Sequence, residues 1–155
     1  MSVLIMIAVI AVIAAVGGWL GFQAYESWQT QRQHVRLLDA GKDAAVKLTT
    51  ISYADADADV QRILDSATGR FSDDFRTRSQ PFVAMVKQIR STTVGTIAQA
   101  GIESVDNDKA RILVAVTVKT TLAAGGEQPV RVWRMRIDVQ KIGNETKVSN
   151  VEFVA

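Results

Sequence analysis

Three carboxylates at alternate positions are the side chains best placed to do chemistry. They are Asp55, Asp57 and Asp59, in the run Tyr53 to Asp59. Alternating Asp residues open a calcium loop, but such a loop needs Gly at its sixth position and a bidentate Glu at its twelfth. Val60 and Ser66 stand there instead. The better reading is a helix start, where an Asp caps free N–H groups and further Asp residues favour the positive end of the helix dipole. The single histidine, His34, lies in the polar run Gln29 to His34. With no second His and no Cys beside it, it reads as a solvated helix residue and not as a ligand or a base. Arg131, Arg134 and Arg136 are the most basic local feature. Such a row could meet phosphates or an acidic partner, although the solvated face of a half-exposed sheet is the plainer reading. No phosphate-binding loop, dinucleotide fingerprint, zinc-protease helix or nucleophile elbow occurs. An enzyme using only carboxylates stays open, although no pair stands out from the surface charges, and no cofactor and no metal site is expected.

Composition narrows the class. The 155 residues are 48% hydrophobic, and 18 Lys and Arg stand against 16 Asp and Glu. Such a near balance disfavours nucleic-acid binding. The charges are unevenly spread, because none appears before Glu26. Zero cysteines exclude disulfides and thiolate sites, but leave the redox compartment open.

Val3 to Phe22 is an uninterrupted apolar run of 20 residues. As a helix it would span about 30 Å, the hydrocarbon thickness of a bilayer. A secretory signal would show a basic leader and usually a shorter apolar core, so a retained single span is expected. Trp19, Phe22, Tyr25 and Trp28 would form an interfacial belt at its C-terminal end. Ala11, Ala14, Gly17, Gly18 and Gly21 recur at spacings of three and four, a small-residue stripe that would let another helix approach in lipid. Charge alone weakly favours a cytoplasmic C-terminal part, since Arg32, Arg36, Lys42 and Lys47 all follow the run.

The rest of the chain must position these residues. From Gln23 to about Ser52 only Gly41 interrupts a helical pattern, with Trp28, Val35, Leu38, Ala45 and Leu48 as its apolar seam. A second helix starts at the Asp run and uses Val60, Ile63 and Leu64. Ala67-Thr68-Gly69 should end it, with Gly69 in the left-handed C-terminal position. Phe71 to Thr92 reads as helical, broken or restarted at Pro81. Beyond Thr93 the period changes to two. Strands are expected at Val94 to Val105 (with Gly95 and Gly101 as weak or bulged points), Ala110 to Ala123, Val130 to Ile142 and Thr146 to Val154. Gly125-Gly126 and Gly143-Asn144 are turns between them. Ile112, Val114, Val116, Trp133, Met135 and Ile137 should face inward, as a filled core or a greasy pocket. Helices first and an antiparallel meander after make an α+β domain. The expected division is an anchor over 1–25, a juxtamembrane long helix over 26–52 and an α+β domain over 53–155.

The order of parts resembles a known family. A single span is followed by a helix, then Leu64 to Phe75 (LDSATGRFSDDF), then a sheet pattern closing in Val148 to Val154 (VSNVEFV). The most specific stretch is Ala67-Thr68-Gly69-x-Phe71 with Phe75 after it. Together these resemble the Mce-associated membrane proteins, accessory subunits of the mammalian-cell-entry lipid importers of bacteria. The resemblance implies a cone of the nuclear-transport-factor and cystatin-like type, helices on a curved antiparallel sheet, anchored in the inner membrane and lying in the periplasm. It implies partners: the permease and Mce subunits of a lipid ABC transporter, and membrane lipid itself. It implies no catalytic residues. The expected function is a non-catalytic accessory subunit that docks on the permease through its span and stabilises or regulates import of a fatty acid or sterol class lipid. Two alternatives stand beside it: a scaffold of a secretion-like envelope complex, and a lipid carrier or enzyme using the interior of the cone.

Overall fold

The alternation of apolar and polar residues after Thr93 builds four long strands. The computed structural model describes residues 31–154. Helix α1 occupies 31–49. Then follow β1 (Ile51–Ser52), α2 (Ala56–Asp65), α3 (Gly69–Ile89), β2 (Ser91–Asp106), β3 (Lys109–Leu122), β4 (Arg131–Ile142) and β5 (Glu145–Val154). The five strands form one antiparallel sheet in the order β1-β2-β3-β4-β5. The chain divides into two compact units, Met1–Val35 and Arg36–Ala155. The second contains the sheet. The expected α+β architecture is observed there, with helices packed on a curled antiparallel sheet.

Register explains the core. Ile112 pairs with Ile137 and Val114 with Met135, so β3 and β4 present one apolar face together. Ile112, Met135 and Ile137 are completely buried. Removing each such side chain from water contributes about 1.5–3 kcal/mol. Leu37, Ala44 and Ala45 of α1 pack onto this face. A second cluster joins Ile51 to Ala56, Val60 and Ile63 of α2 and to Val83 and Val86 of α3.

Several expectations change at this level. Helix α1 stops at Thr49 and not near Ser52, because Ile51 and Ser52 pair with Thr93 and Thr92 as a strand. Its buried seam is Leu37, Gly41, Ala44, Ala45 and Thr49, while Val35 is exposed and Leu38 only partly covered. Gly41 is no interruption. A Cβ there would lie 3.1 Å from the Cβ of Ile112, so the missing side chain lets the helix settle on β3. Helix α3 runs through Pro81 without a break. Proline forfeits one helical hydrogen bond and crowds the preceding turn, but burial of Ser79, Val83 and Val86 holds both sides of it. The bulges of β2 fall between Ile97 and Gln99 and between Ile102 and Ser104, not at Gly95 or Gly101.

The helix start at the Asp run is correct, but the capping mechanism is not. Asp55 precedes α2 and makes no side-chain cap bond. Asp59 is 4% exposed, accepts the Ser52 N–H at 2.8 Å through Oδ2, and pairs with Arg62 through Oδ1. Its carboxylate ties α2 to β1. Gly69 also has a different place. It is left-handed, with φ +56°, yet opens α3, while α2 ends at Ser66 in a right-handed conformation. Ser66 to Thr68 instead dock on β5: Thr68 N donates to Val148 O at 2.7 Å, and Val148 N to Ser66 O at 2.8 Å.

Candidate functional site

The apolar face of α3 is wider than its packing needs. Phe71, Phe75, Phe82, Val86 and Ile89 share it, while Met85 and Ile89 stay about half exposed. Opposite lies the end of the sheet's inner face, where Met135 pairs with Phe153 and Val116 with Trp133. No described helix covers this end fully, and Phe153 is 69% exposed although it belongs to the inner row. Its ring meets Trp133 edge-on, with centroids 5.7 Å apart. Between α3 and the sheet lies a cavity of about 390 Å³. Its wall is apolar, from Leu48, Ile51 and Ile63 to Phe71, Trp133, Val151 and Phe153. Two other clefts, of about 390 and 430 Å³, are lined mostly by polar and charged side chains such as Gln61, Asp65 and Arg76, or Lys47, Arg62 and Glu145. Volume does not separate the three; lining does.

Three hydroxyl-bearing residues also line the apolar cavity: Thr49, Ser91 and Thr93. Thr49 Oγ1 donates to Ala45 O at 2.6 Å, and Thr93 Oγ1 accepts the Ile51 N–H at 3.3 Å. Ser91 is 7% exposed, and no buried side-chain polar atom among the described residues is left without a hydrogen-bond partner.

Charged chemistry is concentrated on the other face of the sheet. Arg111 lies directly across from Asp138 and donates to it at 2.7 and 3.1 Å. Arg136 donates to Glu103 at 3.0 and 3.2 Å and reaches Glu152 at 3.5 Å. The Arg111 hydrogen bond, aided by its charge and by Asn150, holds the Asp138 carboxyl below the usual range against the opposing effect of burial. Arg111 and Arg136 are held above their ordinary value, first by hydrogen bonds to Asp138 and Glu103. The expected basic row is thus divided. Arg136 is neutralised in this network, and Arg131 and Arg134 are exposed.

The other candidates separate as well. Asp57 pairs with Lys87, whereas Asp59 serves Ser52 and Arg62, so these carboxylates have different partners. His34 lies in α1, partly buried. Ala11, Ala14, Gly17, Gly18 and Gly21, and the belt Trp19, Phe22, Tyr25 and Trp28, lie outside the described residues. No described helix is long and apolar enough to cross a membrane. Of the expected inward set, Trp133 differs: it is half-buried and lines the cavity mouth. Sequence reasoning missed Ser91, whose setting depends on segments far apart in the chain. The available signal was the excess apolar width of α3.

Comparison with solved structures gives the fold a context. An IcmL-like type IV secretion system protein from Legionella pneumophila superposes with TM-score 0.64 at 10% identity, covering 77% of this chain and 91% of that one. The periplasmic domain of DotI gives 0.64 at 13% identity over 76% and 91%. CagV, a VirB8 homolog of the Helicobacter pylori type IV secretion system, gives 0.61 at 13% over 77% and 96%. These likenesses show the fold, a cone of the nuclear-transport-factor type. In sequence, the chain is 34% identical over 137 residues to the uncharacterized protein Rv1363c of Mycobacterium tuberculosis, covering 88% of this chain and 52% of that protein. The chain therefore spans about half the length of this curated relative. A family profile matches residues 1–155 throughout, and the chain belongs to the family described as uncharacterized protein Rv1363c/MT1408-like.

Proposed function

We propose that this protein is a non-enzymatic assembly subunit of a bacterial envelope complex. The apolar run Val3 to Phe22 anchors it in the inner membrane, and the α+β cone stands in the periplasm as a docking module. The observation that carries this reading is the fold itself, shared over three quarters of the chain with components of type IV secretion systems, one of them a periplasmic domain. Fold alone does not dictate function. Two features of the chain support the transfer. The run has the length of a bilayer span, and among the described residues Arg111, Arg136 and Asp138, the groups with displaced protonation, form ion pairs on the sheet's outer face.

A second, narrower reading makes the complex an Mce-type lipid importer, with the permease and Mce subunits as partners. Its support is the Ala67-Thr68-Gly69-x-Phe71 stretch, which forms the junction of α2, α3 and β5. Affinity purification of the tagged full chain from native membranes, with chemical cross-linking beforehand, tests both. Envelope-spanning secretion-like partners or ordered homo-oligomers support the scaffold. Permease and Mce subunits in gentle detergent support the importer. A monomer that leaves the membrane in alkaline carbonate overturns both.

A further inference from the structure

Strand β2 has one open side. β3 pairs with it from Ser91 to Asp106, but on the opposite side β1 reaches only Thr92 and Thr93. The Gly95 N–H beyond them is taken by Thr50 Oγ1. From Thr96 to Asp106, no backbone hydrogen bond leaves that side of β2 toward any described residue. A row of free N–H and C=O groups is a template for another extended strand, and natural edges are commonly blunted by charge or proline. Thr92 to Ile102 contains neither.

The order of side chains identifies the strand that fits. The two bulges of β2 fall on either side of Gly101, between Ile97 and Gln99 and between Ile102 and Ser104. They make the edge nearly symmetric about that glycine. Ala100 and Ile102 lie beside the buried Val114 and Ile112, and Ile97 and Val105 beside the buried Val116 and Ala110. All four belong to the inner face and are partly buried against the core. A second copy laid antiparallel, with its Gly101 opposite this one, sets Ala100 against Ile102 and Ile97 against Val105. Inner residues then meet inner residues on both sides of the axis. Glu103 falls opposite Gln99, and Asp106 opposite Thr96, so no carboxylate meets another. Parallel pairing in register would stack Glu103 on Glu103 and Asp106 on Asp106, and like charges directly opposite are unfavourable. A two-fold contact requires such self-complementarity, whereas a foreign strand would not.

We propose that the free edge of β2 pairs with the same edge of a second copy, antiparallel about a two-fold axis at Gly101, which joins two five-stranded sheets into one. This goes beyond the assembly role proposed above. It holds or fails whichever complex the protein joins.

The chain has no cysteine, so Gly101→Cys places a single thiol on the axis. Directly opposed residues of an antiparallel pair sit about 4.5–5.5 Å apart at Cα, within disulfide reach. Mild oxidation of this full-length variant in gentle detergent should give a disulfide dimer, while Gln80→Cys, exposed on α3, stays monomeric. The second readout is amide hydrogen exchange over Thr96 to Asp106. It should be at least about tenfold slower in the unaltered full chain than in Gly101→Lys, which sets two like charges face to face. No atom of the described residues lies within 4 Å of a Cβ at Gly101, so this variant should keep its circular dichroism spectrum. Mixing Gly101→Lys with Gly101→Glu should restore slow exchange to within about twofold. Slow exchange that survives in Gly101→Lys alone, or a disulfide between Gly101→Cys and Val154→Cys of another copy, assigns the edge to a different strand and overturns the proposal. So does fast exchange in the unaltered chain, or a Gly101→Cys variant that dimerises no better than Gln80→Cys.

Discussion

A Cβ built on Gly95 would lie 2.6 Å from the Cβ of Thr49, and closer still to its hydroxyl oxygen. The last turn of α1 therefore presses on the backbone of β2, with no room for a side chain between them. The neighbouring Thr50 Oγ1 accepts the Gly95 N–H at 3.1 Å, which fixes the approach. Thr49 cannot retreat, because it is buried and its hydroxyl bonds Ala45 O.

Gly95→Ala should therefore destabilise the protein by about 1–3 kcal/mol through overpacking. Gly101 provides the control on the same strand, since no atom of the described residues lies within 4 Å of a Cβ there. Gly101→Ala should be neutral or stabilising by about 0.5–1 kcal/mol, from reduced chain entropy. Urea denaturation of the two variants compares them directly. Equal effects would remove the close approach from the account.

The buried carboxylate of Asp59 should matter more than its exposed neighbour. Asp59→Ala leaves the Ser52 N–H without its acceptor and should cost about 1–3 kcal/mol. Asp57→Ala loses only a surface pair with Lys87 and should cost less than about 1 kcal/mol. Thermal denaturation should rank them in that order. If β1 is held only by Thr93, the two midpoints will coincide.

Gly69 opens α3 at φ +56°, where a side chain is strained. Gly69→Ala should destabilise by about 1–2 kcal/mol, and Gly69→Asn by less, because Asn tolerates the left-handed region. No atom of the described residues lies within 4 Å of a Cβ there, so backbone strain sets the effect. Chemical denaturation midpoints for the pair provide the measurement.

Asp138 gives the protein an acid-sensitive contribution. Its carboxyl is held below the usual range in the folded state, first by the Arg111 hydrogen bond. The stabilisation is fully present above the unfolded value, near 3.9, and is lost as pH falls through the lower folded value. Asp138→Asn should cost about 0.5–1 kcal/mol at neutral pH, the scale of a partly exposed pair. The difference from the parent should shrink below about pH 4. Stability curves between pH 2 and 7 will show whether the two converge.

The sequence by itself determined the α+β class, the four long strands and the inner row of β3 and β4, while the short strand β1 was read as helix. Period-two alternation and glycine turns act within a few residues, so they are legible locally. Ile112, Val114 and Met135 could be assigned to the core because one register satisfies all of them. Tertiary structure alone decided the features that join distant segments. Gly41 and Gly95 look like weak points until α1 is laid on the sheet, and then both are contact points. Asp59 looks like part of a cap until Ser52 arrives beside it. Pro81 looks like a break until packing on both sides outweighs one missing hydrogen bond. The cavity arises the same way: Ser91, Trp133 and Phe153 are tens of residues apart, and only the fold sets them along one apolar wall beneath α3.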